Sequence, residues 1–231
     1  MTRFIRVGQS NASLVSRMER KSVFVRPHLD DNGYIQNAGL KFRPIAALEN
    51  GTIDGPHAII LHRTFSSTAA STLASFGRGI GTHFLVAKDG TIYQCASLKQ
   101  KTAHVGPIRS RCLVEGTCSA QEAVKIRSYG AMAGHRHEKV KPYPARYPMN
   151  EDSIGIETVA MYLETTKQWE PATGAQRKAI SSLVKLLQSM YSLTDADVYE
   201  HDQISRKTEG EGAGLYDGPG GVPARFPPPF F

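Results

Sequence analysis

No apolar run in this chain approaches the ~20 residues that a membrane-crossing helix requires, so no membrane span is expected. The amino terminus, Met1-Thr2-Arg3-Phe4-Ile5-Arg6-Val7, also lacks the apolar stretch of a secretory signal peptide. If the target lies outside the cytoplasm, the protein is expected to reach it by a non-classical route or by cell lysis. Tryptophan occurs once, and no run of lysine and arginine is interleaved with spaced aromatics, so no nucleic-acid partner is expected. Cysteine is scarce. Of the three, Cys112 and Cys118 flank Gly116 in one polar loop and either pair locally or remain free thiols, while Cys95 stands apart.

What is abundant is positive charge. Lys plus Arg number 28 against 21 Asp plus Glu, a net charge of +7 that suits an anionic cell wall or membrane surface as well as it suits a nucleic acid. With 231 residues and no repeat or linker, the chain is long enough to bury one sizeable core and need not divide into two.

The pattern of elements points to an α/β domain with a mixed central sheet flanked by helices. His57 to Leu61 is a short apolar run behind Gly55-Pro56 and is expected to be a buried strand. A helix is expected over Ser66 to Phe76, capped by Ser67. Gly81 to Ala87 and Ile92 to Gln94 flank Lys88-Asp89-Gly90, the signature of a strand, a tight turn and a strand. Ser153 to Val159 returns to strand character. Gly174 to Leu193 carries apolar residues at Ala179, Ile180, Leu183, Val184, Leu187 and Met190, the spacing of an amphipathic helix. Residues 1–50 are expected to form an N-terminal arm packed on the core, and residues 51–231 the catalytic domain. Within that domain, 107–148 is expected to be a long insertion loop with a helix at Ala120 to Arg127, rich in positive charge. The Pro/Gly-rich tail from Gly218 to Phe231 is expected to be irregular.

Tyr199 to Glu209 carries the chemistry. It places an imidazole (His201), an ammonium (Lys207) and a carboxylate (Glu209) on one short segment, while His62 closes the apolar run Ala58-Ile59-Ile60-Leu61 far upstream. Two histidines and a carboxylate are a common ligand set for catalytic zinc that leaves a fourth position open. A nearby lysine can stabilise a forming oxyanion. Glu157 ends an apolar strand, where an unpaired buried carboxylate is costly and so suggests function. His135 and His137 lie two apart in a basic stretch without an acidic or cysteine partner close by, which fits a solvated loop better than a second metal site. Trp169 and Tyr162 are expected to pack a helix against the sheet.

Five separated pieces together resemble the zinc-dependent N-acetylmuramoyl-L-alanine amidases, which include AmpD-like enzymes, phage amidase-type lysozymes and peptidoglycan recognition proteins. They are Ile60-Leu61-His62; Gly81-Thr82-His83-Phe84-Leu85-Val86 with Lys88-Asp89-Gly90; Ala103-His104-Val105-Gly106; Asn150 with Ser153-Ile154-Gly155-Ile156-Glu157; and His201 with Arg206-Lys207-Thr208-Glu209. The resemblance implies zinc held by His62, His201 and Glu209, the last standing where AmpD-like enzymes have aspartate and phage relatives cysteine. Glu211 and Asp202 are the alternative carboxylates. It implies Glu157 as the general base, since Thr82 replaces the catalytic tyrosine of the phage and animal relatives. It further implies Lys207 as the oxyanion donor and His104 with Asn150 as substrate-binding residues.

The implied reaction is hydrolysis of the amide between N-acetylmuramic acid and L-alanine of the peptidoglycan stem. A lytic or antibacterial enzyme, an endolysin or a secreted effector, is the expected role, acting as a monomer and countered by an inhibitor or immunity protein. The competing expectation is a non-catalytic module that binds muropeptides, as some family members do.

Overall fold

The computed structural model describes residues 26–53 and 55–218. The expectations for residues 1–25 and for the tail beyond Gly218 lie outside the described residues. Two short strands, β1 (His28–Leu29) and β2 (Ile35–Gln36), pair antiparallel, and β3 (Lys41–Phe42) follows. Then come β4 (Ala58–Arg63), α1 (Ala69–Phe76), β5 (Phe84–Val86) and β6 (Ile92–Gln94). Three helices occupy the insertion: α2 (Arg111–Val114), α3 (Ala120–Arg127) and α4 (Ala131–Lys139). The chain continues through β7 (Ser153–Thr158), β8 (Tyr162–Leu163), β9 (Gln168–Trp169), α5 (Gly174–Tyr191), β10 (Val198–Glu200) and α6 (His201–Ile204).

Six strands form the central sheet in the order β10-β4-β7-β5-β6-β3. Its middle is parallel, and only β5 and β6 run antiparallel, joined through Lys88-Asp89-Gly90. This is the mixed sheet expected from the sequence. Both faces of β4 are covered, which explains its unbroken apolar run. Ile59 and Leu61 meet Ile180, Leu183, Val184 and Leu187 of α5 on one face. Ala58 and Ile60 meet Val105, Ile108, Tyr147 and Met149 on the other. Each of those α5 side chains is almost fully buried and contributes about 1.5–3 kcal/mol of hydrophobic stabilisation. Thr173 starts α5 with a reciprocal capping box: its hydroxyl accepts from the Gln176 N–H, and the Gln176 side chain accepts from the Thr173 N–H.

Three local expectations are corrected. Helix α1 starts after Thr68, not Ser67, because the Thr68 hydroxyl accepts from the Ser71 N–H. The N-terminal segment does more than pack on the core, since β3 extends the sheet beside β6. The insertion is a small helical layer, not a loop. Its helix α4 is too polar to show in the sequence and is anchored by Glu138, which is fully buried and bonded to Lys141 at 2.9 Å. A Cys112–Cys118 disulfide closes the turn between α2 and α3, leaving Cys95 free and buried.

Candidate metal centre

Three parallel neighbours, β10, β4 and β7, end side by side and deliver the site. His62 and Glu157 are paired in register between β4 and β7. Glu200 pairs with Leu61 between β10 and β4, so His201, the next residue along, arrives beside His62 with the ring centroids 4.1 Å apart. Both imidazoles are buried.

The carboxylate that meets them is Glu211. Its Oε1 lies 2.7 Å from His201 Nδ1 and 3.6 Å from His62 Nδ1. Glu209 does not join them: it is exposed, and only its backbone carbonyl is engaged, by Trp169 Nε1 at 3.1 Å. The expectation of Glu209 as third ligand is thus corrected in favour of the alternative Glu211. A turn explains the switch, because the Glu211 N–H donates to the Thr208 carbonyl at 3.1 Å and throws Glu209 outward. Asp202, the other alternative, supports the loop instead, its two oxygens accepting from the N–H groups of Gly210 and Gly212. Arg63 holds the same loop from beneath through the carbonyls of Gly210, Glu211 and Ala213. Gly212 lets this loop lie tight against the sheet, where an added Cβ would stand 2.6 Å from the Glu200 Cα.

Hydrogen bonds to serine, histidine and backbone groups orient the rings. The Ser153 hydroxyl donates to the Met149 carbonyl at 2.6 Å, so it accepts from His104 Nε2 at 3.3 Å. Neutral His104 then has a bare Nδ1, which accepts from His62 Nε2 at 3.0 Å. That leaves the Nδ1 of His62 with a free lone pair. On the other side, the Val105 carbonyl accepts from His201 Nε2 at 2.8 Å, which turns Nδ1 toward Glu211 Oε1, 2.7 Å away. Two histidine Nδ1 atoms and a carboxylate oxygen, all within 4.8 Å of one another, thus converge on one point. Such a set can share one cation, and histidines whose far nitrogens are held this way are typical zinc ligands. The residues fit a zinc ion. The other cluster with ligand spacing among the described residues, Cys112, Cys118 and Glu122, has both sulfurs spent in the disulfide.

Burial, then the fields of His201 and Lys207, holds His62 well below the usual imidazole range, so it is neutral and able to ligate. His104 is lowered likewise, by burial and then by His62, His83 and His201. The Glu157 carboxyl is pushed up to about 8, chiefly by burial and then by the charge of Glu211, with Lys207 pulling the other way. Lys207 itself is exposed, yet its ammonium acts on both His62 and Glu157 and therefore lies over the same site.

Of the two residues expected to bind substrate, His104 is placed differently, whereas Asn150 is half-buried and lines a cleft. His104 is buried behind His62 as its hydrogen-bond partner. The Asn150 side-chain oxygen accepts from the N–H groups of His104 and Val105 and so positions that loop. His135 and His137 lie on α4, and Tyr162 and Trp169 lie on the β8–β9 hairpin beside Phe65, not under a helix. Two contributors went unnoticed in the sequence, Arg63 and Ser153. The one available signal was an arginine directly after a strand-end histidine in an otherwise apolar run.

The profile of the N-acetylmuramoyl-L-alanine amidase family matches residues 53–213. The fold is similar to that of a crystallised selenomethionine derivative of AmpD, with 15% identity and a TM-score of 0.50 over 82% of this chain and 94% of that one. The endolysin N-acetylmuramoyl-L-alanine amidase LysCS from Clostridium intestinale URNW is also similar, with 16% identity and a TM-score of 0.44 over 76% and 89% of the two chains. PlyL follows, with 15% identity and a TM-score of 0.45 over 73% and 84%. No curated protein matches the sequence. Because the matched span takes in all three strands that end at the centre and every donor in it, the chain belongs to the N-acetylmuramoyl-L-alanine amidase family.

Proposed function

We propose that His62, His201 and Glu211 hold one zinc ion and that the protein hydrolyses the amide joining the lactyl group of N-acetylmuramic acid to L-alanine of the stem peptide. The observation that carries this reading is the convergence of two histidine Nδ1 atoms and a carboxylate oxygen beside the half-buried carboxyl of Glu157. Zinc in such a set supplies Lewis acidity, which polarises an amide carbonyl and eases the ionisation of water.

The protein supplies the rest. Glu157, poised near neutrality, accepts a proton from the attacking water and returns it to the departing amine nitrogen. Lys207 places a positive charge where the carbonyl oxygen becomes negative. His104 and Ser153 hold His62 in the tautomer that faces the carboxylate. A cleft of about 310 Å³ lies between Gly106-Pro107, α4 and Asn150-Glu151, next to the loop that carries His104, and Lys139 and Glu151 line it. That polar cleft suits the stem peptide.

The role we infer is lytic, on cell wall outside the cytoplasm. The net charge of +7 supports it, as does a disulfide that persists best in an oxidising compartment. Mass spectrometry of digested wall tests the reaction: intact stem peptides and bare glycan strands are expected, together with about one zinc per chain by metal analysis. Protein that binds wall without zinc and releases no stem peptide would be a recognition module instead.

A further inference from the structure

Beyond the catalytic groups, three aromatic rings gather at the rim of the metal loop, and the mechanism uses none of them. Phe65 and Trp169 meet edge to face with centroids 4.4 Å apart, and Tyr162 lies 5.3 Å from Trp169 and 5.9 Å from Phe65. The Tyr162 and Trp169 pair is explained by the β8–β9 register. Phe65 is not so explained. It is 50% exposed, and its backbone has φ 54, a left-handed conformation that is unfavourable for a bulky side chain. Hydrogen bonds on either side force it there: the Thr64 N–H donates to the Thr158 carbonyl and the Ser66 N–H to the Ala160 carbonyl. The fold therefore accepts backbone strain in order to hold an aromatic ring in water.

The position is specific. Trp169 Nε1 donates to the Glu209 carbonyl, two residues before Glu211. Phe65 lies three residues past His62 in the strand direction, whereas the cleft is lined by Asn150 and Glu151, which precede the first residue of β7. The aromatic rim and the cleft thus lie on different sides of the centre along the strand direction. An amide joining a sugar to a peptide has two chemically different arms, and the polar cleft suits the peptide. The exposed ring faces suit the other arm, because the C–H face of a pyranose is apolar and slightly positive while an aromatic face is negative.

We propose that the half-exposed ring of Phe65, braced by Trp169 and Tyr162 tilted against it at 68° and 46°, stacks an N-acetylated pyranose of the glycan strand, an assignment that rests on the peptidoglycan reading of the adjacent site. This stacking sets which way the substrate lies across the centre and favours glycan-borne over free stem peptides.

The single tryptophan makes the test direct. An N-acetylglucosamine tetramer, which has no lactyl–alanine amide to cleave, is titrated into the purified protein while Trp169 emission is followed. The readout requires neither zinc nor turnover, so it stands or falls separately from the amidase chemistry. A saturable change is expected. It should weaken about fivefold or more in Phe65→Gly and persist in Phe65→Tyr. Glycine adopts φ 54 without strain, so Phe65→Gly should melt no lower than the parent. Phe65→Asn, also tolerant of that conformation, is the second variant. The proposal is overturned by no saturable response to the sugar, by an undiminished response in both non-aromatic variants, or by an equal response to a sugar-free stem peptide.

Discussion

His62 and Glu157 occupy paired positions on parallel strands, and both side chains leave the same face of the sheet. The proposed metal ligand and the proposed proton carrier are thereby fixed next to each other by backbone hydrogen bonding, His62 buried and Glu157 half-buried. The third donor comes from a loop, but Arg63 and Asp202 tie that loop down from two sides. Geometry of this kind is preorganised before any substrate arrives.

Glu157→Gln separates proton transfer from metal binding. The substitution keeps the shape of the side chain and removes a carboxyl whose ionisation burial already disfavours. Zinc content and melting temperature should stay at parent values while kcat falls by roughly 10²–10⁴. His62→Ala should lose zinc and activity together. Retained turnover in Glu157→Gln would move the proton-carrying role elsewhere.

Glu211→Ala and Glu209→Ala decide which carboxylate ligates. Glu211 faces the Nδ1 atoms of both histidines, whereas the Glu209 side chain is exposed. Competition with a chromogenic chelator should show zinc affinity lowered at least 100-fold in Glu211→Ala, since one of three ligands is gone, and unchanged in Glu209→Ala. The reverse ranking would restore Glu209 as the ligand.

Gly155→Ala probes the support behind His62. An added Cβ would stand 2.7 Å from Thr82 Cγ2 and 2.8 Å from His104 Nδ1, the atom that accepts from His62. Overpacking of this kind costs about 1–3 kcal/mol, and a displaced His104 should weaken zinc binding by roughly 10–100-fold. Urea unfolding and chelator competition measure the two effects. A variant with parent affinity would show that the His104 contact does not tune the site.

How much of this was legible in the sequence depends on the range of the contact. His62, Glu157 and His201 could be found because each ends a strand with its own apolar pattern, and strand ends in a parallel sheet gather at one edge. Helix α5 was equally plain from its spacing. Glu211 was named only as an alternative, because a turn between Thr208 and Glu211, not residue type, decides which glutamate faces inward. Helix α4 was hidden because its composition is polar and its anchor is the buried Glu138, paired with a partly exposed Lys141, which has no hydrophobic signature. The structural roles of Asn150 and Ser153 depend on hydrogen bonds across 45 or more residues, which local patterning does not encode.

Stability should fall on acidification, and His83 makes the reason testable. It is fully buried, its Nδ1 accepts from the Gly155 N–H, and its Nε2 donates to the Gln100 carbonyl. A second ring proton would meet the Gly155 N–H head-on. Burial accordingly lowers the imidazole from its ordinary 6.5 to about 4. Between those values the unfolded chain binds the proton and the folded chain does not. Stability is therefore complete above about pH 6.5 and declines as the pH falls toward 4. His62 and His104, also lowered, act in the same direction. From pH 7 to pH 5 the His83 contribution is about 2 kcal/mol, at ~1.4 kcal/mol per pH unit. Urea unfolding with excess chelator, which removes any metal contribution, should show His83→Gln losing less stability than the parent over this interval. Parallel losses in the two proteins would mean that His83 takes up its proton in the folded state.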